Sequence, residues 1–317
     1  IRSVFYFYTM TTFIHDVLKD LQNNKQNLSD LTFVLPSKRA GLFLKHHLSK
    51  FVNKTIFAPQ ILSIEDFVQE LSQLKSISNT ELLFEFYSTY SQLTKKESLD
   101  SFESFSKWAQ ILLQDFNEID RYLIPQEHVF NYLSAIQDLK HWSLEENKTD
   151  FVKNYLSFWY KLHDYYTHFT DSLLNNKVGY QGLIYREAVE NLEAYIQNNS
   201  EKKHVFVGFN ALNTSEETII QELLQKDLAK IYWDVDTVFM NNQKHDAALF
   251  TRQHKKNWKF FKNNSFNWIT ENYSKDKNIS AIGIPKNIGQ AKYIGSLLSE
   301  LQKENNLLNS TAVILGD

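Results

Sequence analysis

Two short apolar runs dominate what this chain can become. Leu31-Thr32-Phe33-Val34-Leu35 is closed by Pro36, and Val205-Phe206-Val207-Gly208-Phe209 lies far downstream, with almost unbroken helical periodicity between about Thr80 and Asn198. Continuous apolar runs of this length, ended by a chain breaker, mark strands buried on both faces. Such strands need helices above and below them, and helix starts lie beside them. Thr12 can cap a helix carrying Ile14, Val17, Leu18 and Leu21, and Ser37 opens one through Leu48. Residues 56–64 are extended around Pro59, after which Ser63 and Asp66 resemble a capping box, with Asp for the usual Glu, ahead of a helix through Leu71. Thr214 is placed to cap a helix over Ser215 to Leu224. Further strand-like runs occur at Ile231 to Trp233, Ile279 to Ile284 and Thr311 to Leu315, with a helix from Lys286 to Lys303 before the last. This alternation predicts right-handed crossovers and a parallel sheet covered on both faces, an α/β fold.

The helical middle predicts a separate bundle of five to seven helices spliced into that sheet. Its apolar stripe Trp108, Ile111, Leu112, Phe116, Ile119 and Leu123 should face inward, joined by Trp142, Trp159 and the Tyr165-Tyr166 pair. Charge follows the same division. Residues 1–60 carry 8 basic and 3 acidic side chains, residues 61–200 carry 11 and 21, and residues 201–317 carry 15 and 13. Two mildly basic flanks around an acidic middle suggest one unit interrupted by another. At 317 residues the chain exceeds one ordinary domain. The expected boundaries are 1–75 and 201–277 for two parts of a first α/β domain, 76–200 for the helical insertion, and 278–317 for the start of a second α/β domain. Residues 1–9, ahead of Met10, read as an extension able to form an edge strand. A stop two residues after a strand is the expectation for a fragment.

Several chemistries are excluded. No run of eighteen apolar residues is present, so no transmembrane helix is expected, and no secretory signal is seen; the expected address is the cytoplasm. The absence of cysteine removes disulfides and thiolate metal sites. None of the eight glycines opens a G-x-x-x-x-G-K-[ST] or G-x-G-x-x-G loop, so no cradle of backbone N–H groups for nucleotide phosphates is encoded. His46 and His47 are adjacent and point to different faces of a helix, and no histidine pair has metal-ligand spacing. Asp234 and Asp236 share a face at a strand end and could hold a divalent ion, although a turn-forming role is preferred.

The segment Val34 to Leu44, VLPSKRAGLFL, resembles the V-x-P-N-K-R-A-G-x-F signature of a Bacteroidetes-type PD-(D/E)XK nuclease family, similar to the AddB subunit of the AddAB helicase–nuclease. Val205 to Glu216 resembles the AddB segment of hydrophobic strand, D-G-F, spacer and T-P-x-E; Gly208, Phe209 and Glu216 match, while Val207 stands in place of the Asp and Asn213-Thr214 in place of Thr-Pro. Ile231 to Asp236 with His245 to Phe250, and Lys286 to Leu315, resemble the segments that follow in that family. The resemblance implies a RecA-like first domain with a large all-α insertion and the start of a second RecA-like domain. It also implies a nuclease domain beyond Asp317, where Mg²⁺ would belong, and a part in double-strand break repair beside an AddA- or RecB-like helicase subunit. Without a phosphate loop or a magnesium-holding acid at the second strand, the chain itself is expected to hydrolyse nothing and to take no cofactor. Its expected role is to scaffold single-stranded DNA. The rivals are a module that docks an active helicase subunit and a divergent nucleotide hydrolase using Asp234 and Asp236.

The residues proposed for DNA fall in three groups. Lys38 and Arg39 open a helix after a strand, where open α/β sheets bind ligands and a helix N-terminus favours phosphate. Gln60 and Ser63 lie where active helicases place a strand-contacting loop. Arg252, His254, Lys255, Lys256, Lys259 and Lys262 interleave with Trp258, Phe260 and Phe261, the mixture that stacks bases and neutralises phosphates. The same spacing fits a helix whose aromatics pack inward while its lysines face water, and that reading is preferred. Gly208 is expected to permit a tight turn rather than to touch a ligand.

Overall fold

The computed structural model describes residues 12–53, 55–140, 158–266, 268–303, 308 and 311–315, with only the backbone given for 134–140. The leader and Trp142, both singled out from the sequence, lie outside the described residues. The chain divides into two units, Ile1–Tyr273 and Ser274–Asp317.

In the first unit, β1 (Leu31–Leu35) lies between β2 (Gln60–Ser63) and β5 (Lys203–Val207), and β6 (Ala229–Tyr232) completes a parallel sheet in the order β2-β1-β5-β6. All five residues of β1 are buried, which is why the run is continuously apolar instead of alternating. Successive side chains still alternate between two cores. Leu31, Phe33 and Leu35, with Val205 and Val207, face α1 (Phe13–Asn23) and α2 (Lys38–Phe51). Val34 and Phe206 face α3 (Ile64–Ser72) and α10 (Thr214–Gln225). The path from β1 to β2 runs in the opposite direction across the sheet from the path β5 to β6. Crossovers of one hand therefore place α2 and α10 on opposite faces, as found.

Side-chain caps set the helix starts. Thr12, Ser37 and Ser63 each accept a hydrogen bond from the backbone N–H three residues on, as the sequence suggested. For α10 the cap is Asn213 and not Thr214: its side chain accepts from the Glu216 N–H while the Glu216 carboxylate accepts from the Asn213 N–H, a reciprocal box one residue earlier than expected.

The helical middle comprises α4 (Asn79–Leu93), α5 (Phe102–Arg121), α6 (Gln126–Lys140), α7 (Leu162–Asn175), α8 (Gln181–Glu190) and α9 (Leu192–Asn198), with β3 (Lys75–Ser76) and β4 (Val178–Gly179) forming a small parallel ribbon. It is not a body apart. One continuous core runs from Val34 and Phe206 on the sheet through α3 and α8 to Phe86, Phe105, Phe116 and Phe169 among the helices. α8 is the hinge of this arrangement, packed against α3, α5 and α10. At Gly182 it approaches α5 so closely that a Cβ there would lie 2.1 Å from the Asn117 carbonyl oxygen, and the Gly182 N–H donates to Asn117 Oδ1 at 2.7 Å. Beside this contact Asp120, fully buried, accepts from Arg186 Nε at 2.7 Å, from the Tyr166 hydroxyl at 2.6 Å and from the Tyr180 hydroxyl. Burial, reinforced by the Asp120 charge, keeps both tyrosines protonated far above their usual range, so both donate.

The first unit ends with α11 (Thr237–Asn241), α12 (Leu249–Asn257) and α13 (Phe260–Asn263), and in the second unit α14 (Asn287–Lys303) forms where the periodicity placed it. Residues 279–284 and 311–315, expected as strands, form no strand and pair with nothing among the described residues. The apolar period had specified their side chains but not a ladder partner.

Candidate functional site

The strand order reverses between β1 and β5, the position where open parallel sheets form a ligand crevice at their carboxyl edge. On one side of it β1 runs through Pro36 into the N-terminus of α2. On the other β5 ends at Gly208, whose φ of +74° is the left-handed conformation that glycine adopts without strain. The expected turn role of Gly208 fits this backbone, and its N–H donates to the Tyr232 carbonyl.

The crevice does not suit a nucleotide. The Ser37 hydroxyl is engaged as a cap, accepting from the Ala40 N–H at 3.2 Å. Lys38 Nζ pairs with Asp66 at 3.0 Å. Burial works against charge on Asp66, but the Ser63 hydroxyl and Lys38 outweigh it and hold its carboxyl below the ordinary range. Val207 and Gly208 offer no acid for a magnesium ion. These residues do not fit a bound Mg–nucleotide.

The structure separates most of the residues the sequence grouped for DNA. Gln60 pairs in register with Thr32 at the amino end of the sheet, whereas Ser63 pairs with Leu35 at the carboxyl end. Gln60 is held by Thr32 and Glu70, and Ser63 is buried as the cap of α3, so the pair does not form one DNA-facing loop. Trp258, a candidate base-stacking platform, is 2% exposed and packs on Trp233, His254 and Phe261. A ring with no open face stacks no base; the inward-packed alternative is what the fold builds. Arg252 is spent on backbone carbonyls, donating to those of Phe239 at 2.6 Å and His245 at 2.8 Å. His254 is buried between the Asn210 carbonyl and the Glu217 carboxylate. Lys255 lies over the Phe266 ring, and Lys256, Lys259 and Lys262 are exposed. Asp236 caps α11 (Thr237–Asn241), accepting from the N–H groups of Val238 and Tyr273, so its oxygens are committed to holding a loop. Burial opposes its charge, yet these N–H donors bring its carboxyl below the usual range. No cluster of three metal-ligating side chains occurs among the described residues.

Lys38 and Arg39 do share a surface. Arg39 is exposed and has no ion pair among the described residues, and it opens the outer face of α2. That face continues through Leu42 and Phe43, 65% and 51% exposed, to Lys45, His46 and Lys50. From Leu31 to Ile64 the chain carries five Lys and Arg and no Asp or Glu. This signal was present in the sequence, hidden because charge was averaged over residues 1–60.

Comparison with models of protein families and with curated proteins finds no match to this chain.

The electrostatics of the surface follow from the fold. α2 packs on the face of the sheet away from the acidic helical middle, since Leu44 and Leu48 join the core of α1 and α2 while α3 and α8 lie opposite. A basic helix with exposed apolar carbon and no acid nearby in sequence can neutralise phosphates and offer Phe43 to a base. No described helix is long and apolar enough to cross a membrane.

Proposed function

We propose that this chain is a non-catalytic, RecA-like scaffold for single-stranded DNA, the helicase-like part of an AddB-type repair nuclease that works in the cytoplasm beside an active helicase subunit. The observation that carries this reading is the outer face of α2: a basic, acid-free helix with exposed Phe43, rising from the carboxyl edge of a parallel sheet, with Lys38 at its start paired to Asp66 of α3. A four-stranded sheet with its order reversing between β1 and β5 supports a RecA-like ancestry, and the long helical insertion after β2 supports the helicase-like assignment. The apolar runs Ile279 to Ile284 and Thr311 to Leu315 on either side of α14 support the start of a second domain of the same kind. The chain takes no cofactor in this reading; Mg²⁺ belongs to the nuclease domain the resemblance implies.

Fluorescence anisotropy of a labelled oligo-dT strand tests it. Binding is expected at low salt and should weaken steeply as salt rises, each lost phosphate contact lowering the log–log slope by about one. Reversing Arg39 and Lys45 to Glu should abolish binding, whereas Lys256→Glu should change it little. A chain with no affinity for the strand at low salt, or one that turns over ATP, would not be this scaffold.

A further inference from the structure

Away from the basic face, a groove of about 680 Å³ opens between the start of α4, the middle of α5 and the β3–β4 ribbon, a volume within the range of ligand clefts. Its polar lining is neutral: Asn79, Thr80, Gln110 and Gln114 supply amides and a hydroxyl, and no charged side chain among the described residues lines it. These four side chains make no hydrogen bond among the described residues, whereas Asn117 and Gln181 at the same groove are already engaged by the Gly182 N–H and by Glu65. At one end Phe84 and Phe102 stack with centroids 4.9 Å apart and planes 5° from parallel, and Phe84 is 57% exposed. Ser76 of β3 lines the groove too. Lys75 and Ile77 direct their N–H groups to the carbonyls of Lys177 and Gly179 in and beside β4, so by strand alternation the Ser76 N–H points to the free edge.

We propose that this groove receives an extended segment of a partner protein, which adds as a strand to β3 at Ser76, lays an apolar side chain on the Phe84–Phe102 stack, and is uncharged where it meets the amides. Its flanks are basic. Glu118 lies on α5 one turn from Gln114, and Glu81 and Glu85 lie on α4, while Glu103 is balanced by its ion pair with Lys107 at 3.4 Å. Residues 61–200, which include the whole groove, carry 21 acidic against 11 basic side chains. Acidic surroundings repel a phosphate backbone and attract Lys and Arg, which selects peptide over nucleic acid for this groove. Main-chain pairing at a sheet edge with alternate side chains in pockets is an established mode of peptide capture.

A random peptide library panned on the full chain tests the assignment. The expected consensus is an uncharged, β-branched or apolar centre between Lys or Arg flanks. Synthetic consensus peptide should lose roughly tenfold in affinity on Ser76→Pro, which removes one N–H donor and leaves its carbonyl acceptor unpaired. Gln114→Arg should weaken it comparably, and both variants should keep the parent's circular dichroism and urea midpoint, because the Ser76 N–H and Gln114 amide hold nothing among the described residues. Failure to enrich any consensus, an acidic consensus, peptide that binds both folded variants as tightly as the parent, or displacement of the peptide by oligo-dT would each overturn the proposal.

Discussion

His204 sits in β5 with 1% of its surface exposed, its Nδ1 facing the Leu228 carbonyl at 3.1 Å and its Nε2 facing the Tyr195 hydroxyl at 2.9 Å. A neutral ring satisfies both partners, with Nδ1–H donating and Nε2 accepting. Burial depresses its pKa from 6.5 to about 4. In the unfolded chain the ring takes a proton near 6.5, and in the folded chain only near 4. The stability tied to the neutral ring is therefore complete above pH 6.5 and drains away as pH falls towards 4, by about 3 kcal/mol in all. Urea midpoints measured across that window should drop more steeply for the parent than for His204→Gln, which keeps a donor and an acceptor but does not titrate; equal slopes would rule His204 out as the source. Gly182 makes a second demand at this scale. Gly182→Ala drives a Cβ into the Asn117 carbonyl, so α8 must shift off α5, and a destabilisation of roughly 3 kcal/mol or more in chemical denaturation is expected, beyond the ~1 kcal/mol range of a helix-propensity change, which here favours Ala. Nothing in the sequence around Gly182 announces this, because the clash is with a residue of another helix. Asp120 left a faint signal: an acid four residues after Phe116 on an otherwise apolar stripe, where a charge is buried only if it is paired.

Elements were easier to read than the contacts between them. Short apolar runs and Ser or Thr caps located β1, β5, α1, α2 and α3, because a cap and a breaker act within a few residues of themselves. Asn213 and Thr214 are both competent caps, and only the reach of Glu216 back to the Asn213 N–H decides between them. Asn213→Ala should cost about 1 kcal/mol in thermal or urea unfolding, whereas Thr214→Ala should be close to neutral; the opposite order would return the cap to Thr214. The candidate site fared worse for a related reason. Gln60 and Ser63 are near neighbours in sequence but occupy opposite ends of β2, a distinction that depends on which way the strand runs in the sheet. Likewise α12 (Leu249–Asn257) carries cations and neighbouring aromatics that look like a nucleic-acid face until the partner wall of Trp233 and Phe266 is known. Averaging charge over sixty residues concealed α2, whose outer face carries Arg39, Lys45 and Lys50 and no acid.

The whole first unit is organised around strands buried from both sides. Hydrogen exchange should find its slowest amides in β1 and β5, while residues 279–284 and 311–315 of the second unit, which have no ladder partners among the described residues, should exchange at nearly unprotected rates. Protection of those segments equal to that of β1 would mean that they are paired strands. The alternation of strand and helix made the parallel sheet legible in advance, but the separateness expected of the helical middle did not follow. Period and charge describe a segment's own faces, not whether another segment's core is waiting to receive them. Phe67, Phe206 and Phe209 tie sheet and bundle into one apolar mass. That continuity limits how the protein can be dissected: a sheet expressed without its helices, or the helices without their sheet, would each present to water a surface made for burial, and both halves should precipitate where the intact chain stays in solution.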